Sequence, residues 1–298
     1  TASMDGKIEM QNDRIVVLPV HEVSGNAELA EGNIDFRGDI VIHGNVESGV
    51  SIRATGSITI DGVAEACMLE AGKDIILRGG MLGGNKASVK TKGAITAKFF
   101  EFTNILCEGD LQADVLMDCS VICHGQIRLT GRKGSIIGGK VQAIRGLIAT
   151  SLGNDAEKRT EIFVGAGIDV YSRLRVMEKK IEMTREELAK IEEGLEKFEI
   201  LSKERGVSYT NDPRRTSLLR IKIKDSAMLA SDEEEVRKLR ILAESSRGAC
   251  VSVIQEIYPG VIINMDELKL ALKNMATGVE FYKLPDKIGT RPCSAGVE

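Results

Sequence analysis

The sequence predicts a mainly β protein: a single-stranded right-handed β-helix, or solenoid, with an inserted antiparallel α-helical coiled-coil hairpin. Three observations predict it. Apolar residues alternate with polar ones over short runs, the signature of a strand with one buried face. Those runs recur at a longer period between residues 32 and 150. A sustained 3-4 apolar spacing then takes over near residue 172.

The longer period is explicit from Gly38, Gly56, Lys73, Gly93, Gly109, Gly125 and Arg145, which follow one another at gaps of 18, 17, 20, 16, 16 and 20 residues. Two positions later stand Ile40, Ile58, Ile75, Ile95, Leu111, Ile127 and Leu147. Four positions later stand Ile42, Ile60, Leu77, Ala97, Ala113, Leu129 and Ala149. Four positions before stand Ile34, Ile52, Leu69, Val89, Ile105, Val121 and Val141, and two before stand Phe36, Ala54, Ala71, Thr91, Cys107, Cys123 and Ala143. Aligned columns of this kind imply strands stacked in register, one coil per unit. A left-handed β-helix needs an apolar residue every six positions, and the uneven units do not keep that frame. The run Gly79-Gly80-Met81-Leu82-Gly83-Gly84 reads as a corner of one coil.

The helical segment follows. Leu174, Met177, Ile181, Thr184, Leu188, Ile191, Leu195 and Phe198 form a heptad seam, ending near Gly206. Asp212-Pro213 reads as an N-cap with proline at the first helical position. A second helix then runs to about Gly248, with Leu218, Ile221, Met228, Val236, Leu239 and Leu242 as its seam, and the capping box Ser231-Asp232-Glu233-Glu234 marks a point where it can break in two. After Gly248 strands return, with a turn at Tyr258-Pro259-Gly260. The expected organisation is an N-terminal cap of strands over 1–31, β-helix over 32–171, coiled-coil hairpin over 172–248, and returning turns with a C-terminal cap over 249–298.

Composition bounds the function. The chain has 298 residues, 43% hydrophobic and 28% charged, with a formal net charge of −4. Aromatic residues are only 4%, fewer than compact enzyme cores of this size use. The acidic balance argues against general nucleic-acid binding. No apolar run approaches the roughly 18 residues of a membrane span, and no secretion signal opens the chain. The start Thr1-Ala2-Ser3-Met4 reads as an added tag or an internal start, with more natural sequence expected ahead of it.

Chemistry-bearing residues are sparse. Cys107 and Cys123 share a column on neighbouring coils, about 4.8 Å apart. Cys67 and Cys119 share another column three coils apart, about 14 Å, too far to bridge. Both pairs read as small core residues. Gly134-Ser135-Ile136-Ile137-Gly138-Gly139-Lys140-Val141 falls one residue short of a phosphate-binding loop, since Val141 stands where Ser or Thr would hold a cation. Thr130-Gly131-Arg132-Lys133-Gly134 is a basic turn, with Arg132 and Lys133 as candidates for an anion or a partner. The three histidines, His21, His43 and His124, make no metal-binding pair. Asp61, Asp74 and Asp110 read as lying in different columns, so no paired-carboxylate site is expected. The expectation is no catalytic residue, metal or cofactor.

The stretch from Gly32 to Val46, with Arg78-Gly79-Gly80, Ala97-Lys98-Phe99, Thr130-Gly131-Arg132-Lys133-Gly134 and Tyr258-Pro259-Gly260-Val261, resembles the flagellar assembly protein A family over nearly the whole chain from Asp5. Lys73 and Arg145 depart from the family's usual glycine. The resemblance implies a cytoplasmic bacterial protein linked to flagellar assembly or placement, without established catalysis, and a further N-terminal domain outside this chain. The solenoid is also similar in fold to bactofilins and to the C-terminal domain of a septum-placement inhibitor, both self-associating. The expected role is a non-enzymatic scaffold with protein partners and self-association, with no membrane insertion, nucleic acid or small-molecule substrate. A polysaccharide-acting β-helix enzyme and an anion- or nucleic-acid-responsive regulator stand as alternatives.

Overall fold

Strands with one buried face need neighbours on both edges, and a solenoid supplies them by stacking each coil on the last. The computed structural model describes residues 7–11, 14–206, 208–210 and 212–293. In it the column Ile34, Ile52, Leu69, Val89, Ile105, Val121, Val141, Ile162 and Ile263 is joined by eight successive parallel pairings. A second wall carries Ile40, Ile58, Ile75, Ile95, Leu111, Ile127, Leu147 and Val251 in the same manner. Its stacking already includes Val20–Val23, which pairs with Asp39–Ile42.

A third wall closes the coil: Ala27, Val46, Ala64, Met81, Phe100, Leu116, Ile136, Leu152 and Ile257. It was not among the aligned columns, because its strands are short and its spacing from the corner glycine varies. Met81 and Leu82 belong to it, so the Gly79–Gly84 run is not one corner: Met81 opens strand Met81–Thr91, whose pairing shifts register between Leu82 and Ala87. The walls enclose one continuous apolar core, and Ile40, Ile58, Leu77, Met81 and Phe100 are fully buried in it. Each such side chain contributes about 1.5–3 kcal/mol by leaving water.

The corner between the first and second walls shows why glycine recurs there. Its backbone forms a ladder: the N–H of Gly56 donates to Gly38 O, Lys73 to Gly56, Gly93 to Lys73, Gly109 to Gly93, Gly125 to Gly109 and Arg145 to Gly125. Beside it Asp39, Asp74 and Asp110 each accept a backbone N–H from the next coil, from Ser57, Ala94 and Gln126 at 2.7–2.8 Å. A Cβ on Gly56, Gly93 or Gly125 would land on the Oδ1 of the aspartate one coil earlier. The non-glycine corners are Lys73 and Arg145. There the preceding coil has Ser57 or Gln126 in place of the aspartate, whereas at Gly109 it is the Gly93 backbone, with its O at 2.6 Å, that a Cβ would meet. Asp74 and Asp110 thus share one column, contrary to the sequence reading, and both serve as caps.

A second bend carries strain. Ala66, Phe102 and Asp118, stacked at equivalent places between the third and first walls, have φ of +32°, +46° and +51°. A left-handed non-glycine residue costs of order 1 kcal/mol or more, and the stacked coils hold it in place. Both ends of the solenoid differ from its body. An antiparallel pair, Lys7–Gln11 with Arg14–Leu18, forms its own two-stranded sheet. After Gly248, Cys250–Ile257 and Val261–Met265 add one more parallel coil, and Leu268–Ala271, Ala276–Lys283 and Ile288–Pro292 follow antiparallel. Antiparallel strands at the last coil protect an edge that would otherwise recruit other strands.

The helical residues form a separate unit over Ile168–Ser245, and the solenoid comprises the chain on either side of it. The corner that receives them takes three residues in each of six earlier coils, for example Thr55–Gly56–Ser57. Here it runs from Gly165 to Ala249.

Gly56→Lys is expected to destabilise the solenoid by about 2 kcal/mol or more. Asp39→Ser in the same chain should recover part of that loss, because it removes the carboxylate contact and leaves only the Gly38 backbone, at 2.8 Å, against the new Cβ. A double-mutant cycle by urea unfolding measures the coupling, and strictly additive losses would refute the corner rule.

Candidate functional site

Helix α1 spans Gly167–Arg205 and α2 spans Pro213–Ser245. Gly206, at φ +63°, ends α1 in the left-handed conformation that glycine adopts cheaply. Asp212 Oδ1 accepts the Arg214 N–H at 2.8 Å, and Pro213 opens α2. The Ser231–Glu234 stretch does not interrupt α2, contrary to the sequence reading. Asp232 is instead buried and paired with Lys180 of α1 at 2.7 Å.

The packed seam holds Met177, Ile181, Val236 and Leu239, with Val170, Leu174 and Leu229 against it. Thr184 is buried too, its hydroxyl donating to Lys180 O. Leu188, Ile191, Leu195, Phe198, Leu218 and Leu242 are half-buried. Ile221 and Met228 lie outside the seam, 42% and 39% exposed. On α2 the inward positions are Leu218, Lys222, Asp225, Leu229, Asp232, Val236 and Leu239, a regular 4-3-4-3-4-3 spacing in which three members are charged. An apolar-only search drifts to Ile221 and Met228 for that reason. The pairs Arg173–Glu235, Arg185–Glu233 and Lys222–Glu192 join the helices in descending order on α2 as α1 ascends, as antiparallel helices require, and Arg240–Glu178 adds a fourth link. The ring centroids of Phe198 and Tyr209 lie 6.2 Å apart where α1 gives way to the connection.

On one side of α1 and α2 a groove of about 1090 Å³ runs between them. Its floor is Ile181 and Val236, and its walls carry Glu178, Glu182, Arg185 and Glu186 from α1 and Glu233, Arg237, Arg240, Ile241 and Glu244 from α2.

The solenoid's own candidates are placed as follows. Arg132 and Lys133 are exposed on a turn whose backbone is held by Asp114, which accepts the Lys133 and Gly134 N–H groups at 2.8 and 2.9 Å. The run Gly134 to Val141 forms strands Ser135–Ile137 and Gly139–Ala143 around left-handed Gly138 and Gly139, with Val141 fully buried and no helix following. It is a bend between walls, not a phosphate cradle. Cys107 and Cys123 pair across neighbouring strands, and all six thiols are free. Burial pushes the Cys67 thiol up to about 12 and the Cys119 thiol up to about 11. Cys123 is raised by the Cys107 thiol beside it and by burial.

Sequence reasoning missed one titratable cluster. His43 Nε2 lies 2.6 Å from Glu22 Oε1 and its Nδ1 lies 2.9 Å from Asp61 Oδ2, while Arg78 pairs with Asp61 at 3.1 Å. The hydrogen bonds to Glu22 and then to Asp61 raise His43 above its ordinary 6.5. The four residues come from successive coils, so their adjacency needed the register to be seen.

The chain matches the Flagellar Assembly Protein A beta solenoid domain over residues 19–288. It belongs to the flagellar assembly protein A family. That match spans the solenoid, the α1–α2 insertion and the returning coil of this family member. No curated protein and no solved structure gives a significant match.

Two outcomes are expected. Lys180→Met should destabilise the helical unit by about 1 kcal/mol or more by leaving Asp232 unpaired, whereas Asp232→Leu should be neutral or stabilising; thermal unfolding followed at 222 nm decides. Because His43 titrates higher folded than unfolded, its charge contributes stability below about pH 6.5 that is lost as pH rises through the folded value. An NMR titration should place His43 above 6.5 and return it towards 6.5 in Glu22→Gln/Asp61→Asn.

Proposed function

We propose that this chain is a non-enzymatic scaffold of the bacterial cytoplasm, linked to assembly or placement of the flagellum. In this reading the solenoid is the rigid body, and α1–α2 is the element that self-associates and binds protein partners. Family membership supports the flagellar link. The observation that carries the scaffold reading is the corner from Gly165 to Ala249. A bend of three residues elsewhere is opened there for a helix pair, while the parallel ladder continues through Cys250–Ile257. The chain therefore enters the pair from strand Thr160–Val164 of the first wall and leaves it into strand Cys250–Ile257 of the second. Stacked parallel coils with a filled core resist bending, which suits a platform more than a hinge. No helix among the described residues is long and apolar enough to cross a membrane.

Replacing residues 165–249 by a three-residue corner tests the reading in the native bacterium. Flagellar number or placement should be altered as severely as in a strain lacking the whole gene. Light scattering of the purified proteins should show an oligomer that shrinks to the monomer without the helices. Normal flagellation together with a monomer in both forms would overturn the proposal.

A further inference from the structure

We propose that the groove between α1 and α2 takes about two turns of a basic amphipathic helix from a partner protein. The inference rests on the scaffold reading and names the chemistry of its partner. Its first support is charge. All three arginines in the groove walls are engaged: Arg185 with Glu233, Arg240 with Glu178, and Arg237 with Glu234. Glu182, Glu186 and Glu244 line the same groove and make no ion pair with any described residue. Glu182 and Glu186 stand one helical turn apart on α1, at the spacing that meets Lys or Arg placed i and i+4 on an opposing helix.

Shape and apolar surface agree. Ile181 and Val236 form the floor, and Ile241 on the wall is 57% exposed. Two helices side by side leave a furrow into which the apolar ridge of a third can pack. The α1 residues of the groove run from Glu178 to Glu186, about 12 Å of helix. That length matches two turns of an occupant bringing two or three apolar side chains, with basic residues flanking them. A second copy of this chain fits poorly, because a twofold contact through this groove sets Glu182, Glu186 and Glu244 against themselves. A contact this small, steered by exposed charges, is weak, fast and salt-sensitive.

The test uses the whole chain and a synthetic peptide of about four helical turns, with leucines at i, i+3, i+4 and i+7 and flanking lysines. A matched peptide with glutamates in place of the lysines is the control. Fluorescence anisotropy should show binding of the lysine peptide alone. The triple variant Glu182→Gln/Glu186→Gln/Glu244→Gln should weaken it about tenfold. Ile241→Asp should weaken it as well, although it adds an acid and would strengthen mere attraction to an acidic surface. Unchanged helicity by circular dichroism verifies that both variants fold. No binding, or binding unchanged in both variants, overturns the groove proposal. Light scattering of the same samples separates this from the broader reading. Self-association that depends on the helices but not on Ile241 leaves the scaffold standing and removes the groove. Self-association abolished by Ile241→Asp assigns the groove to a second copy and also overturns the proposal.

Discussion

Register between coils is the constraint on which the solenoid depends. A parallel ladder is buried on its inner face, so slipping by one residue would turn every apolar side chain outward. The corner between the first and second walls locks that register twice. Its backbone N–H groups climb from Gly38 to Arg145, one carbonyl per coil. Aspartates on alternate coils reach up to cap the next one. At Gly56, Gly93 and Gly125 the carboxylate of the preceding coil occupies the place a Cβ would need, and at Gly38 and Gly109 the stacked backbone does. Local residue choice and global stacking thereby specify one another, the consistency expected of a sequence with a single fold.

Much of this was legible in the sequence, because the period-2 columns of two walls sit at fixed offsets from the corner. Those columns appear in the structure as paired positions, nearly all buried, and Cys107 and Cys123 stack on neighbouring coils where the columns place them. The third wall was not legible. Its strands can be as short as Ala64–Glu65, and bends of variable length precede them, so no constant offset exists to be found. The role of Asp74 and Asp110 was hidden for a related reason. A capping aspartate acts on the following coil, 16 to 20 residues away, and no local motif marks it.

The helical unit obeys another logic. On α1 the seam is apolar and the heptad reading finds it. On α2 the same seam admits Lys222, Asp225 and Asp232, two of which pair with Glu192 and Lys180 of α1. Charged residues in a seam tend to fix partner and alignment at some cost in stability. They also leave apolar residues such as Ile223 and Ile241 outside it, 71% and 57% exposed. Under the proposed function, rigidity belongs to the coils and recognition to the helices.

The central claim is that the helices interrupt a corner and not the ladder. Hydrogen exchange by mass spectrometry tests it most directly, on the whole chain and on a form with residues 165–249 replaced by three. The account predicts slow exchange over Cys250–Ile257 and Val261–Met265 in both, matching Leu147–Leu152 and Thr160–Val164, the strands they pair with. Fast exchange of those two strands in the shortened form, with the earlier coils still protected, would contradict it.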